Sequence, residues 1–184
     1  VSCPATLRPR KGQRGLIEAF SRCAEGNPNA VLVLAGTGSD HDALMRLVAK
    51  LGLGDRVCLP GQVSPVADLY AASDLVCMPS FNEGLSNACL EASAAGLPLL
   101  VSEAGGLPEI VVDGETGAVV PCGDVGALAD ALMRYLGDAD LRRRAGAAGA
   151  VRTRNLFTER RMAEGMEALF LKLLGERHPG CTKT

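Results

Sequence analysis

Tryptophan is absent from this 184-residue chain, aromatic side chains make up only 3% of it, and there are just two histidines, His41 and His178. With so few flat rings and no lysine or arginine stripe among them, the sequence lacks the stacking surface of a nucleic-acid groove. Two histidines are too few for a histidine-built metal site. The seven cysteines contain no CxxC pair and are odd in number. Most stand in apolar runs, so they read as reduced core thiols of a cytosolic protein and supply neither a zinc site nor a disulfide frame. Charge is equally sparse in one sign, with a formal net of −2. The densest basic clusters, Arg8-Pro-Arg10-Lys11 and Arg142-Arg143-Arg144, are short, and the second reads as a solvated helix face in preference to a membrane contact. No segment approaches the roughly 18 apolar residues of a membrane span, and no signal peptide opens the chain.

What is present is a regular alternation. Apolar residues make up 47% of the chain and charged ones 22%, enough to build one globular domain with a proper core. Short apolar runs alternate with longer helical patterns, the mark of parallel strands joined by crossover helices. Strands are expected over 1–7, 30–35, 56–59, 74–78, 99–101 and 118–121. Continuous runs such as Val31-Leu-Val-Leu34 predict a parallel sheet covered on both faces. Helices are expected over 15–24, 40–51, 66–72, 86–95 and 125–136, the fourth stopped by Gly96-Leu-Pro98. The fold class is therefore α/β, a Rossmann-like parallel β-sheet sandwiched by helices. Two further helices, 139–154 and 158–174, follow a hinge-like Leu156-Phe157. The last carries Met162, Met166, Leu169, Phe170 and Leu173 on one face. A flexible tail is expected over 175–184. Val1 already stands inside a strand, so the chain is expected to be cut from something larger.

The segment Phe81-Asn-Glu83-Gly84-Leu-Ser-Asn-Ala-Cys-Leu-Glu91 sets two acids eight positions apart, one before a helix and one inside it. A helix start offers unpaired N–H groups and the positive end of a macrodipole, and so attracts a phosphate. Acids beside such a site would repel that phosphate. Each has a reason to be there if it accepts hydrogen bonds from hydroxyls flanking the anion, as on a sugar and a ribose. With about 1.5 Å of rise per residue from a start near Leu85, Glu91 would stand some 8 Å along the helix. Ligand crevices in open parallel sheets lie at the carboxyl ends of the strands, where the Lys11 loop, the Gly36 turn, Gly61–Val63 and the Glu83 loop should converge. That makes Lys11 the best-placed cation.

Other readings compete for the same residues. Gly36-Thr-Gly38 lacks the third glycine of a dinucleotide fingerprint, since His41 stands in its place. Gly84-Leu-Ser86-Asn-Ala88 nearly matches a GxSxG nucleophile elbow, but Ser86 lies eight residues past Met78 and the only histidine after it is His178. Ser86 is better read as a helix-start residue, capping with its hydroxyl or donating its backbone N–H. Ser80-Phe-Asn-Glu83 also fits a capping box. Against that, Gly84 would let the backbone turn or approach a ligand closely.

In order along the chain, Lys11-Gly12 with Leu16-Ile-Glu-Ala-Phe20, Val31-Leu-Val-Leu-Ala-Gly36-Thr-Gly38, Arg56-Val57 with Gly61-Gln-Val63, Pro79-Ser-Phe-Asn-Glu83-Gly84, Glu91-Ala-Ser-Ala-Ala-Gly96-Leu-Pro98 and Gly105-Gly106-Leu-Pro108-Glu109 resemble the C-terminal half of retaining GT-B glycosyltransferases of family 4. The resemblance implies a nucleotide-sugar donor, with residues 1–157 as its binding domain and helix 158–174 crossing to an acceptor-binding N-terminal domain missing from this chain. It implies sugar contacts from Glu83, donor contact at Gly84, ribose contacts from Glu91, and diphosphate contacts from the backbone N–H groups of Leu85, Ser86 and Asn87. Lys11 would neutralise the departing phosphate and the backbone at Val63 would meet the base. Members commonly carry an arginine where Ala5 or Thr6 stands here, leaving Arg8 as the second cation. The expected reaction retains anomeric configuration without a cofactor or bound metal, in the cytoplasm or loosely attached to the inner membrane face, with this half inactive alone. The alternative is a non-catalytic nucleotide-sugar-binding module.

Overall fold

In the computed structural model of the chain, which describes residues 1–175, six parallel strands form one sheet in the order β3-β2-β1-β4-β5-β6. The strands are β1 Ser2–Pro4, β2 Leu32–Ala35, β3 Val57–Gly61, β4 Val76–Met78, β5 Leu99–Ser102 and β6 Gly117–Val120. The helices between and after them are α1 Gln13–Ala24, α2 His41–Lys50, α3 Val66–Ala71, α4 Asn87–Ala94, α5 Leu107–Ile110, α6 Val125–Gly137, α7 Ala139–Leu156 and α8 Glu159–Gly175. This is the doubly wound arrangement in which the strand order reverses between β1 and β4, opening a crevice at their carboxyl ends.

Alternation along the strands divides the core in two. Cys3, Leu32, Leu34, Cys77 and Leu100 pack with Phe20 of α1, Leu44 of α2 and Leu132 of α6. Val76, Met78, Leu99 and Val101 pack with Tyr70 of α3, Cys89 of α4 and Leu107 of α5. Successive strand residues point to opposite faces, so a buried parallel sheet needs an apolar residue at every position. α7 lies along α4, where its Gly146 and Gly149 meet Gly96 and Ser93 and its Thr153 hydroxyl donates to Ser93 Oγ at 2.9 Å. That contact fixes the helix which carries Glu91.

All six expected strands form, with one clear difference. β1 was expected over 1–7 but its ladder ends at Pro4. Beyond it the chain stays extended, Ala5 and Leu7 donating to the carbonyls of Ala35 and Thr37 at 3.0 and 2.9 Å, and then turns into a short 3-10 turn at Pro9–Lys11. α5 has no counterpart in the sequence reading. The apolar face of α8 is uncovered, with Met162, Leu169 and Phe170 each more than half exposed. No helix among the described residues is long and apolar enough to cross a membrane. The tail expected over 175–184 lies, except for Gly175 in α8, outside the described residues, as do His178 and Cys181.

Candidate functional site

Three loops, those after β1, β4 and β5, meet where the strand order reverses. Gly12, in the left-handed region at φ 72°, follows the 3-10 turn and lies against the carbonyl of Pro79 at the end of β4. Phe81 N–H donates to the Arg10 carbonyl at 2.8 Å, tying the β1 and β4 loops together a second time. From the other side, Gly105 at φ 52° packs on the carbonyl of Glu83, and Ser102 Oγ at the end of β5 donates to the carbonyl of Ser80. A side chain at either glycine would overlap a carbonyl oxygen, so these loops close only because both positions are glycine.

The clamp brings Lys11 and Glu83 into direct contact. Lys11 Nζ donates to Glu83 Oε2, and the two side chains are only 12% and 14% exposed. Ser80 Oγ donates to the same oxygen at 3.1 Å. Both protein donors thus converge on Oε2 and leave Oε1 for another partner. Shielded from solvent, such a pair interacts more strongly than one in open water. Ser80 does not cap a helix. α4 starts at Asn87 with Ser86 as its N-cap, whose Oγ accepts from Cys89 N–H at 3.4 Å. The capping-box reading of Ser80 and Glu83 therefore gives way to a side-chain contact between them. Ser86, its hydroxyl spent on the cap and itself buried, has no histidine partner among the described residues and does not form a nucleophile elbow.

Glu91 occupies a different setting from the one expected. It faces outward from α4 and is exposed. With α4 beginning at Asn87, it stands about 6 Å along the helix, a turn beyond the free N–H groups. Its Oε2 accepts from the Tyr70 hydroxyl of α3 at 3.3 Å. It lines a cavity of about 490 Å³ with Val66, Ala67, Tyr70, Ala71, Ala94 and Ala95, and neither Lys11 nor Glu83 borders that cavity. A second cavity, about 550 Å³, opens at the start of α1 beside Gly12, Pro79 and Phe81, and neither Glu83 nor Glu91 lines it. The side-chain geometry, and not cavity size, marks the crevice.

The remaining sequence candidates lie in the loops after β1, β3 and β4 and at the start of α4. Arg8 is exposed just before the 3-10 turn, and Val63 is half-buried in the loop after β3. Gly84 has an ordinary φ and open space where a side chain would stand, so it supplies clearance and not a special turn. Leu85 is 49% exposed just before the Ser86 cap of α4, and Asn87, the first residue of that helix, is exposed. Gly36 and Gly38 pack on the backbone of Ala5 and Leu7 and form no phosphate turn. Among the described residues no group of three or more His, Cys, Asp or Glu is arranged to hold a metal ion.

Three contributors escaped the sequence reading: Tyr70, the hydroxyl of Ser80, and Gly105 as a packing point. For Ser80 a signal existed in its spacing from Glu83, but the same spacing fits a helix cap. For Tyr70, 21 residues before Glu91, there was none.

Known proteins share this fold. A family described as glycosyl transferases group 1 matches residues 1–152. The D-inositol 3-phosphate glycosyltransferase of Nocardia farcinica is 33% identical over 187 residues, covering 97% of this chain and 41% of that protein. Among solved structures, sucrose-phosphate synthase from Thermosynechococcus elongatus superposes with a TM-score of 0.84 at 31% identity, over 95% of this chain and 45% of the other. Anabaena HepE, solved in complex with UDP, gives a TM-score of 0.83 at 26% identity, over 91% of this chain and 48% of the other. The chain spans less than half the length of the curated relatives it matches.

Proposed function

Since the chain belongs to the glycosyl transferases group 1 family, we propose that it is the donor-binding part of an enzyme that moves a sugar from a nucleotide diphosphate to an acceptor, with retention of anomeric configuration. One observation carries the reading: the contact of Lys11 with Glu83 across the point of strand reversal, beside the start of α4. A diphosphate set against the backbone N–H groups of Leu85, Ser86 and Asn87 would lie within reach of the Lys11 amine. As the bond from sugar to phosphate breaks, negative charge grows on the departing oxygen. A fixed ammonium and a helix dipole aimed there stabilise that charge more than they stabilise the bound donor, which is what lowers a barrier.

Glu83 has the complementary task. Its Oε2 is held by Lys11 and Ser80, so Oε1 is the oxygen that would accept from hydroxyls of the sugar. Glu91 would accept from the ribose, Val63 would meet the base through its backbone, Gly84 would leave room for the sugar ring, and exposed Arg8 would supply the second cation. On this reading no step needs a bound metal, because Lys11 and the helix dipole would supply the positive charge beside the diphosphate. The acceptor would be held by a further domain, as the greater length of the relatives supports, and the uncovered face of α8 would pack there. By itself the chain would bind donor and transfer little. A cytoplasmic location, with or without loose attachment to the inner membrane face, belongs to the same proposal.

Thermal unfolding of the 184-residue chain with UDP, ADP, GDP and their sugars tests this directly. A ligand at a hundred times its Kd stabilises the folded form by about 2.7 kcal/mol, or roughly 5–10 °C for a domain of this size. One nucleotide should produce that shift with EDTA present, and Lys11→Ala should abolish most of it. No shift with any of them would overturn the assignment.

A further inference from the structure

We infer that Tyr70 is a positioning residue which, through Glu91, makes the site select a ribose over a deoxyribose. The inference rests on the reading of Glu91 as the acid facing the ribose. Glu91 is exposed on α4, and an exposed glutamate samples many rotamers whose freedom is lost when it grips a ligand. Here one side chain restrains it. The Tyr70 ring is buried, 5% exposed, among Val76, Met78 and Cys89 in the core on the α4 side of the sheet. Only its hydroxyl reaches outward, 3.1 Å from the carbonyl oxygen of Ala88 and 3.3 Å from Glu91 Oε2. A rigid ring anchored in the core thus ends in a donor whose place is fixed by packing.

Of the two acceptors, the carboxylate binds the proton more strongly because it is charged. The Ala88 carbonyl belongs to the second residue of α4, where the helix supplies it with a backbone donor of its own. Burial first, and then the charge and hydrogen bond of Glu91, push the Tyr70 hydroxyl above its ordinary pKa, so it stays protonated and able to donate. Elsewhere the cavity wall around Glu91 is alkyl, made by Val66, Ala67, Ala71, Ala94 and Ala95, and offers no competing donor. Tyr70 therefore holds Oε2 and leaves Oε1 for the ribose. The same division occurs at Glu83, where Lys11 and Ser80 hold Oε2. Each acid is tied by one oxygen and presents the other.

Tyr70→Phe removes one oxygen atom and keeps the ring that fills the core, so the fold survives. Titration calorimetry with UDP, ADP and GDP, and with their 2′-deoxy counterparts, on the full 184-residue chain gives the preference for ribose as a ratio of affinities. Losing a hydrogen bond that orients a charged group should lower that ratio about threefold to tenfold. The drop should come from weaker binding of the ribonucleotide, with deoxynucleotide affinity held within about twofold. In Glu91→Ala the ratio should fall further, and adding Tyr70→Phe to it should change nothing, because the two act in series. A purely structural tyrosine would weaken both nucleotides alike and leave the ratio untouched, which would overturn the inference while leaving Glu91 in its role. If the unaltered chain binds a nucleotide without preferring ribose, the reading of Glu91 fails, and the role of Tyr70 with it. Binding of none of the six overturns the donor site as a whole.

Discussion

Gly12 and Pro79 touch backbone to backbone: the glycine stands at φ 72° with its α-carbon against the proline carbonyl, where a methyl group would overlap the oxygen. Gly12→Ala thus meets two obstacles, an unfavourable left-handed φ and a collision that forces the β1 and β4 loops apart. Gly52 offers the control, since it has a similar φ of 68° and open space around it. Gly52→Ala should cost about 1 kcal/mol, whereas Gly12→Ala should cost about 2–4 kcal/mol as measured by urea unfolding. Nucleotide diphosphate affinity should fall only in Gly12→Ala, because Lys11 is the residue before it. Equal losses in both would show that the loop contact is unimportant.

The hydroxyl of Ser80 provides a separate test of how Glu83 is aimed. It is fully buried and donates to Glu83 Oε2 at 3.1 Å, sharing that oxygen with Lys11. Ser80→Ala leaves the Lys11 contact in place but frees the carboxylate to turn. The expected result is a loss of about 1–2 kcal/mol in affinity for a nucleotide sugar and little change for the bare nucleotide. Calorimetry with matched pairs such as UDP-glucose and UDP reads this out. If both weaken together, Ser80 supports the loop and not the acid.

Much of the architecture could be read from the chain because a sheet buried on both faces leaves continuous apolar runs such as Leu99–Val101. β1 was overextended for a physical reason: residues 5–7 keep the extended backbone of a strand yet leave the ladder after Pro4. α5 is four residues long with a proline in its first turn, too short for any periodicity to register. The approach of Lys11 to Glu83, 72 positions apart, followed from the rule that loops at the carboxyl ends of parallel strands converge. That rule locates loops and not side chains. Glu91 shows the difference: which way α4 is rolled depends on its packing with α7, and no local pattern revealed that the acid would face Tyr70.

The cysteines yield a pH-dependent expectation. Burial, the dominant cause in each case, pushes the Cys3 thiol up to about 12 and those of Cys23 and Cys89 to about 11. Cys77 is raised as well, again by burial first. Since the folded-state values lie above the unfolded value near 9, this stabilisation is complete below pH 9 and is lost as pH rises towards 11–12. At pH 8, iodoacetamide should label exposed Cys58 and Cys122 and spare Cys3, Cys23, Cys77 and Cys89 in the native chain, as mass spectrometry would show. The urea midpoint should decline more steeply between pH 9 and 10.5 in the unaltered chain than in Cys3→Ala. Matching slopes would contradict this account of Cys3.

Arg56, although it belongs to the stretch that resembles the glycosyltransferases, serves the opposite end of the sheet from the crevice. Its Nε donates to the Ala30 carbonyl at 2.7 Å and its Nη2 to that of Asn27 at 2.5 Å, with both terminal nitrogens 3.4 Å from the carbonyl of Ala24. The guanidinium also lies over the Phe20 ring, 5.9 Å from its centre. One planar fork therefore binds the end of α1, the following turn and the lead into β2, adding a charged donor to the Ala24 and Asn27 carbonyls that already accept from the backbone of Asn27 and Ala30. A lysine ammonium is a point donor and reaches fewer of them. Arg56→Lys should lower stability by about 1–3 kcal/mol, roughly 3–10 °C in Tm. Nucleotide affinity at a temperature where both proteins are folded should be unchanged. A variant that kept its Tm but lost nucleotide would move Arg56 from the frame of the fold into the site.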